Sequence, residues 1–285
     1  MRLTLAAVTL IVGLFSMPLV AFAGLPEPCT RLSAEKLAVA KSAMSKVHPH
    51  DCCDDTLLNC AQQATQSRLV FRLAWAVCTR VAAGDGEKEI VKELEKRASS
   101  MLASKVTIDT QGLAWAGEAG SPVQLVVYAC ARCPFCAKSV AEVYEAVTSG
   151  NLKGKARFAM KLYPVKSHEG SKEGGFAFEA ARSLGKFWSY VLTAYKRFDS
   201  FSVAKLADWA EEVGMSRSDF SAAMGSAATR DMVVASKKEG IRNQVESTPT
   251  YFINGKLYQA DLKTWAISCA VMEEWDRMNG NLCKP

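Results

Sequence analysis

The chain lacks any large excess of charge of one sign. Lys and Arg number 35 against 29 Asp and Glu, a formal charge of +6, and the two signs are interspersed. That balance suits a soluble surface and argues against nucleic-acid binding. A long uninterrupted apolar run is also missing. The leading stretch from Leu3 to Phe15 is broken by Ser16, Met17 and Pro18, short of the roughly 20 residues a bilayer span requires, which disfavours a retained membrane anchor. Cysteine is absent before Cys29, so a lipoprotein signal is not indicated.

What stands at the N-terminus instead is Arg2, the apolar stretch and Ala21-Phe-Ala23 before Gly24, the layout of a secretory signal with a small-residue cleavage site. Cleavage is expected after Ala23, giving a periplasmic or secreted chain of 34 basic and 29 acidic residues, +5, with no stable membrane span. Ten cysteines follow, which fits an oxidising compartment. The remaining length suffices for a full core and a smaller second one.

The most informative stretch runs from Val123 to Val147. An apolar run (Val123, Leu125, Val126, Val127, Tyr128) breaks at Cys130-Ala-Arg-Cys133-Pro-Phe-Cys136 and gives way to an amphipathic segment, the pattern of strand, turn and helix. Pro134 has no N–H and a backbone angle suited to a first helical turn, so Cys133 should fall at or beside the N-cap, with Cys136 one turn inside. Unpaired N–H groups and the positive end of the helix dipole favour thiolate there, making Cys133 the nucleophile and Cys136 the resolving thiol. The rival readings are a buried disulfide or a metal clip. A cluster-binding run would need a fourth thiolate where Val140 stands, and a c-type haem would need His where Ala137 stands. No cofactor and no metal is expected at this motif.

Cys-Pro-Phe-Cys on a strand-to-helix turn, with Ser247-Thr-Pro-Thr-Tyr-Phe-Ile-Asn-Gly-Lys256 downstream, resembles the DsbA-like branch of the thioredoxin superfamily. The likeness covers the chain from about Lys105 onward. It implies an α/β thioredoxin fold with an inserted helical subdomain, and an enzyme that forms, reduces or isomerises protein disulfides, working with protein thiol or disulfide substrates and a redox partner the sequence does not name. It also implies that Thr248-Pro249 is a cis pair packed over the active-site sulfurs, with Thr248 offering backbone atoms to substrate. Pro134 and Phe135 then modulate the site, and Lys161 on the next strand matches a lysine that thioredoxins keep near it, where it either assists Cys136 or is a lysine that buries its stem and sends its charge to water. The sequence departs from the family pattern in carrying Phe135 where many such oxidants have His, and Val127 where relatives place a buried carboxylate.

Before this lies a stretch read as a small all-α, cysteine-rich domain over residues 24–104. Three amphipathic segments are expected: one from Ser33 with Leu37, Ala40, Met44 and Val47; one with Val70, Leu73, Val77 and Val81, ending at Gly84-Asp-Gly86; and one from Glu87 with Ile90, Leu94, Ala98 and Met101. Asp54 to Cys60 reads as a polar linker or helical turn. The segment from Arg68 to Met101 resembles the helical thiol domain of CcmH-type cytochrome c maturation proteins without its Cys-x-x-Cys, which raises a dedicated thiol reductant as an alternative function. A partner- or metal-binding module is the other, suggested by His48-Pro-His50-Asp51-Cys52-Cys53. Cys29, Cys52, Cys53, Cys60 and Cys78 cannot all pair among themselves, so one disulfide to Cys130, Cys269 or Cys283 is expected, its partners left open.

In residues 105–285 an opening strand is expected at Lys105 to Asp109 and a turn from Gly117 to Pro122. The central strand and active-site helix follow, then a second strand from Ala156 to Tyr163. An inserted helical block spans about 170–245, punctuated by Gly185, Gly214 and Gly225. A hairpin turns at Asn254-Gly255. A last helix, capped by Asp261, is expected to bear Leu262, Trp265, Cys269 and Met272 on its apolar face.

Overall fold

The structure, a computed structural model, describes residues 24–285; the expected signal segment lies outside the described residues. The chain begins with α1 (Glu27–Thr30), α2 (Ala34–Met44), α3 (Leu57–Ala61), α4 (Arg68–Ala82) and α5 (Glu87–Leu102). Ser33, Thr56 and Ser67 each accept the backbone N–H three residues on, so side-chain caps set the starts of α2, α3 and α4. Val70, Leu73, Val77 and Val81 of α4 close on Met44 and Ile90 in a core of their own. The polar segment around Asp54 thus contains one short helix, α3.

β1 (Val123–Ala129), α6 (Pro134–Thr148) and β2 (Ala156–Leu162) follow, then α7 (Ser171–Ser183), α8 (Phe187–Lys196), α9 (Leu206–Glu212), α10 (Arg217–Gly225) and α11 (Ala227–Arg242). The chain closes with β3 (Thr250–Ile253), β4 (Lys256–Tyr258) and α12 (Thr264–Met278). The sheet order is β2-β1-β3-β4. β1 and β2 are parallel, Val123 opposite Ala156, while β3 runs antiparallel to both β1 and β4. From Leu125 onward β1 is buried on both faces, which accounts for its apolar run there. Val123, Leu125, Val127 and Ala129 join the core beneath α6 and α12. Tyr128 turns to the other face with Tyr163 and Phe252, where α11 comes so close that a Cβ on Gly240 would stand 2.8 Å from the Tyr163 ring. Asn254 and Gly255 both have positive φ, 49° and 81°, as a two-residue hairpin turn requires.

Two expectations need correction. Lys105 to Asp109 is not a strand: Lys105 bridges Lys256, and Val106 donates to Gly255 O at 2.9 Å. Beyond that the Asp109 N–H and C=O are taken by Glu239 (2.6 Å) and Lys161 (2.7 Å). With side chains satisfying the backbone, no ladder forms. The last helix starts at Thr264, three residues after Asp261, which instead accepts the Lys263 N–H at 2.9 Å and receives Arg80 at 2.7 Å. Leu262 is exposed, and the inward apolar positions are Ala266, Ile267, Ala270 and Val271. The opposite face meets α4 and α5 rather than water, so Glu273 and Asp276 are buried as well, and Glu274 is buried against Asn254 and Lys256 of the hairpin. Glu273 pairs with His50 (2.6 Å) and Arg97 (3.0 Å), and Asp276 with Arg68 (2.8 Å) and Arg72.

Three disulfides form, Cys29–Cys78, Cys53–Cys60 and Cys52–Cys283. The third joins the N-terminal helices to the C-terminal tail, whose Leu282 and Lys284 carbonyls accept the N–H groups of Leu69 and Arg68 at the start of α4. None of the helices among the described residues is long and apolar enough to cross a membrane.

Candidate active site

Cys133 is the N-cap of α6 and Pro134 its first residue, so Cys136 sits at the third helical position, where N–H groups of the first turn are unpaired. Cys133 is 2% and Cys136 0% exposed. The Cys133 thiol faces the Thr248 carbonyl oxygen at 3.2 Å, and the Thr248–Pro249 bond is cis. Hydrogen bonding from the Cys136 thiol, with further help from the Cys136 and Phe135 N–H groups and the Thr248 side chain, outweighs burial and brings the Cys133 thiol down to about 5. Burial pushes Cys136 far up, and a thiolate on Cys133 pushes the same way. The two thiols of one motif thereby stand in opposed environments, one favouring the thiolate and the other holding its proton. No histidine is needed for this.

Cys130 occupies a different environment. It is buried, with the Arg132 N–H at 3.4 Å and His168 Nδ1 at 3.5 Å, and burial raises its thiol. The turn between Cys130 and Cys133 is clamped from the helical block. The Arg132 guanidinium lies between the Phe198 and Phe201 rings, 4.8 and 4.5 Å from their centroids, and the Tyr195 hydroxyl donates to Cys130 O at 3.2 Å.

Phe135 is 74% exposed and stands at the mouth of a cavity of about 890 Å³ lined by Pro134, Ser139, Pro249, Leu262 and Trp265 among others. Under Cys136, the Ser139 and Tyr251 hydroxyls pair at 2.6 Å, both buried. Tyr251 is the cross-strand neighbour of Val127, so a neutral hydroxyl pair lies beside the apolar side chain there. Sequence reasoning missed this pair because Tyr251 reads as one more strand residue. The i, i+3 spacing of Cys136 and Ser139 was the available signal.

Lys161 is placed elsewhere. It projects to the face of Tyr128, ion-pairs with Glu239 and donates to Asp109 O, and Glu239 also accepts from the Tyr128 hydroxyl at 2.7 Å. The expected assistance to Cys136 does not fit these contacts, because alternate residues of β2 face opposite sides of the sheet. The His48 to Cys53 cluster is likewise spent structurally: His50 is paired to Glu273, and Cys52 and Cys53 are both in disulfides. Among the described residues the one grouping close enough to hold a metal is Asp51, Cys52 and Cys283, and its two sulfurs are bonded to each other, so it offers no thiolate ligand.

The thioredoxin family's sequence profile matches residues 109–272. BdbD from Bacillus subtilis, in its oxidised form, superposes with a TM-score of 0.54 at 16% identity, covering 61% of this chain and 98% of that one. Wolbachia pipientis alpha-DsbA1 gives 0.53 at 14% identity, covering 61% and 96%. A thioredoxin-like oxidoreductase from Silicibacter pomeroyi gives 0.50 at 20% identity, covering 60% and 94%. A Na(+)/H(+) antiporter, NhaA 3 of Salinispora tropica, is 26% identical over 205 residues, 72% of this chain, and the chain spans 30% of that relative's length. A profile match over more than half the chain, on a β1-α6-β2 unit closed by the β3-β4 hairpin and α12, makes this chain a member of the thioredoxin family, with a DsbA-like fold.

Proposed function

We propose that the chain is an exported thiol–disulfide oxidoreductase, cleaved after Ala23 and acting in the periplasm or outside the cell. In this reading residues 24–104 are a disulfide-stapled helical domain and residues 105–285 the catalytic domain, with the helical insertion over about 170–245. Cys133 is the nucleophile and Cys136 the resolving thiol. The observation that carries the reading is the opposed environment of the two sulfurs, one lowered to about 5 at a helix N-cap and the other raised by complete burial. In the oxidising direction a substrate thiolate attacks Cys133 Sγ, the Cys133–Cys136 bond breaks, and Cys136 leaves with the electron pair and takes up a proton. A second substrate thiolate then attacks its own sulfur in the mixed disulfide, releasing Cys133 as thiolate. The substrate has lost two electrons and the protein holds a dithiol. Reduction runs the same steps backward. No cofactor enters.

Thr248 and Pro249 are the substrate-binding pair, the Thr248 backbone lying against the attacked sulfur. Pro134 fixes the helix start, and Phe135 meets the substrate at the mouth of the cavity. The substrate is a polypeptide segment carrying the reactive cysteine, lying in the cavity between Phe135 and Trp265. A Cys136→Ser chain tests this. It retains the nucleophile but cannot close the ring, so disulfide-linked adducts at Cys133 should accumulate and be identified by mass spectrometry, while Cys133→Ser traps nothing and turns nothing over. Intact turnover in Cys136→Ser, with release lost in Cys130→Ser instead, would transfer the resolving role to Cys130 and refute the assignment.

A further inference from the structure

The N-terminal helices take no part in the thiol chemistry, yet they hold the cavity beside Cys133. Its wall opposite Pro249 is the link from β4 into α12, Asp261 to Trp265. That link carries no ladder of its own and is gripped from behind by α4. Arg80 donates to Asp261 Oδ2 at 2.7 Å and is steadied by Asp85 at 2.8 Å. Trp75 meets Trp265 edge-on, ring centroids 5.5 Å apart and planes at 64°. Where Arg80 meets Asp261 and Trp265 the packing leaves a cavity of about 20 Å³, room for hardly more than one water. Further along α12, Glu273 is tied to His50 and Arg97 and Asp276 to Arg68 and Arg72, and in the tail beyond the helix Cys283 is bonded to Cys52. The helices therefore fix α12 along its length, and with it the distance from Trp265 to the cis-proline loop.

We propose that the N-terminal helices are a specificity element of this cavity, with Trp75 and Arg80 as positioning residues that hold Leu262 and Trp265 where they receive apolar side chains flanking the substrate's cysteine. The proposal rests on the oxidoreductase reading above. Its substrate class is an extended polypeptide with bulky apolar residues beside the reactive thiol, matched to Phe135, Pro249, Leu262 and Trp265. Trp75 and Arg80 touch neither sulfur, so their loss acts on capture of the segment and leaves exchange at Cys133 alone.

The test is single-turnover reduction of the oxidised full-length chain by two donors, a dithiol peptide with apolar flanks and dithiothreitol, which is too small to use the wall. For Trp75→Ala and Arg80→Gln the peptide concentration at half-maximal rate should rise about tenfold, with the maximal rate and the dithiothreitol rate constant unchanged. Trp75→Phe and Arg80→Lys should recover most of the loss, which a merely unfolded chain would not. An unchanged half-saturation in both variants would overturn the proposal, as would equal slowing with both donors. Should Trp75→Ala fail to fold, the Arg80→Gln and Arg80→Lys pair decides. If the unsubstituted chain is reduced by neither donor, the oxidoreductase reading itself fails, an outcome separable from failure of the wall.

Discussion

Replacing Glu273 by Gln would test how the helices are fastened to α12. The Glu273 carboxylate is fully buried and is shared by His50 (2.6 Å), Arg97 (3.0 Å) and Arg277 (3.4 Å). The amide keeps the shape and removes the charge, leaving the buried Arg97 guanidinium uncompensated, at a cost of about 3–5 kcal/mol for a broken buried pair. A second route reaches a similar figure. The hydrogen bond from His50, with the charge of Arg97, overcomes desolvation and lowers the carboxyl from 4.5 to about 2, which at about 1.4 kcal/mol per unit is about 3 kcal/mol. The folded state thus binds this proton less readily than the unfolded chain. Its contribution is complete above about pH 4.5 and is lost as pH falls toward about 2. Urea unfolding at pH 7 should show Glu273→Gln less stable by about 3 kcal/mol. The difference from the unsubstituted chain should narrow as both are titrated through that acid window. Equal stability at pH 7, or an undiminished difference at pH 2, would refute the reasoning.

Two further outcomes follow from named side chains. Lys161→Met leaves Glu239 buried without its cation and should destabilise the fold by at least about 2 kcal/mol, while the rate and pH profile of Cys133 alkylation stay as they were. A shifted Cys133 profile would restore Lys161 to the active site. Phe135→His, which sets a cation and donor beside the thiolate, should raise the Cys133–Cys136 potential measured against glutathione by about 30 mV for each further unit by which Cys133 falls; an unchanged or lower potential would contradict the electrostatic account of the motif.

The turn that carries Cys133 and Cys136 was legible because its determinants are local. A strand's apolar run, Pro134 and two cysteines three apart specify an N-cap and its first turn with little help from elsewhere. The Asn254-Gly255 hairpin was legible for the same reason. What the sequence hid depends on partners distant in the chain. Glu273 and Asp276 are acidic positions whose partners lie far away in the chain, Arg72 on α4, Arg97 on α5 and His50 in the loop between α2 and α3, so the inward face of α12 was misjudged. Lys161 was linked to the site because it matches a lysine that the resemblance places near the thiols, whereas the pleat sends it toward Glu239, 78 positions further on. Asp109 is satisfied by those same two side chains and so never needs the strand pairing its segment invited.

The most direct test of the central claim is the pH dependence of Cys133 alkylation in the reduced, full-length chain, followed by mass spectrometry so that each cysteine is read separately. Cys133 should be modified with a midpoint near pH 5, while Cys136 stays unreactive through neutral pH under the same conditions. A Cys133 midpoint near 9, the ordinary thiol value, or Cys136 reacting first, would contradict it.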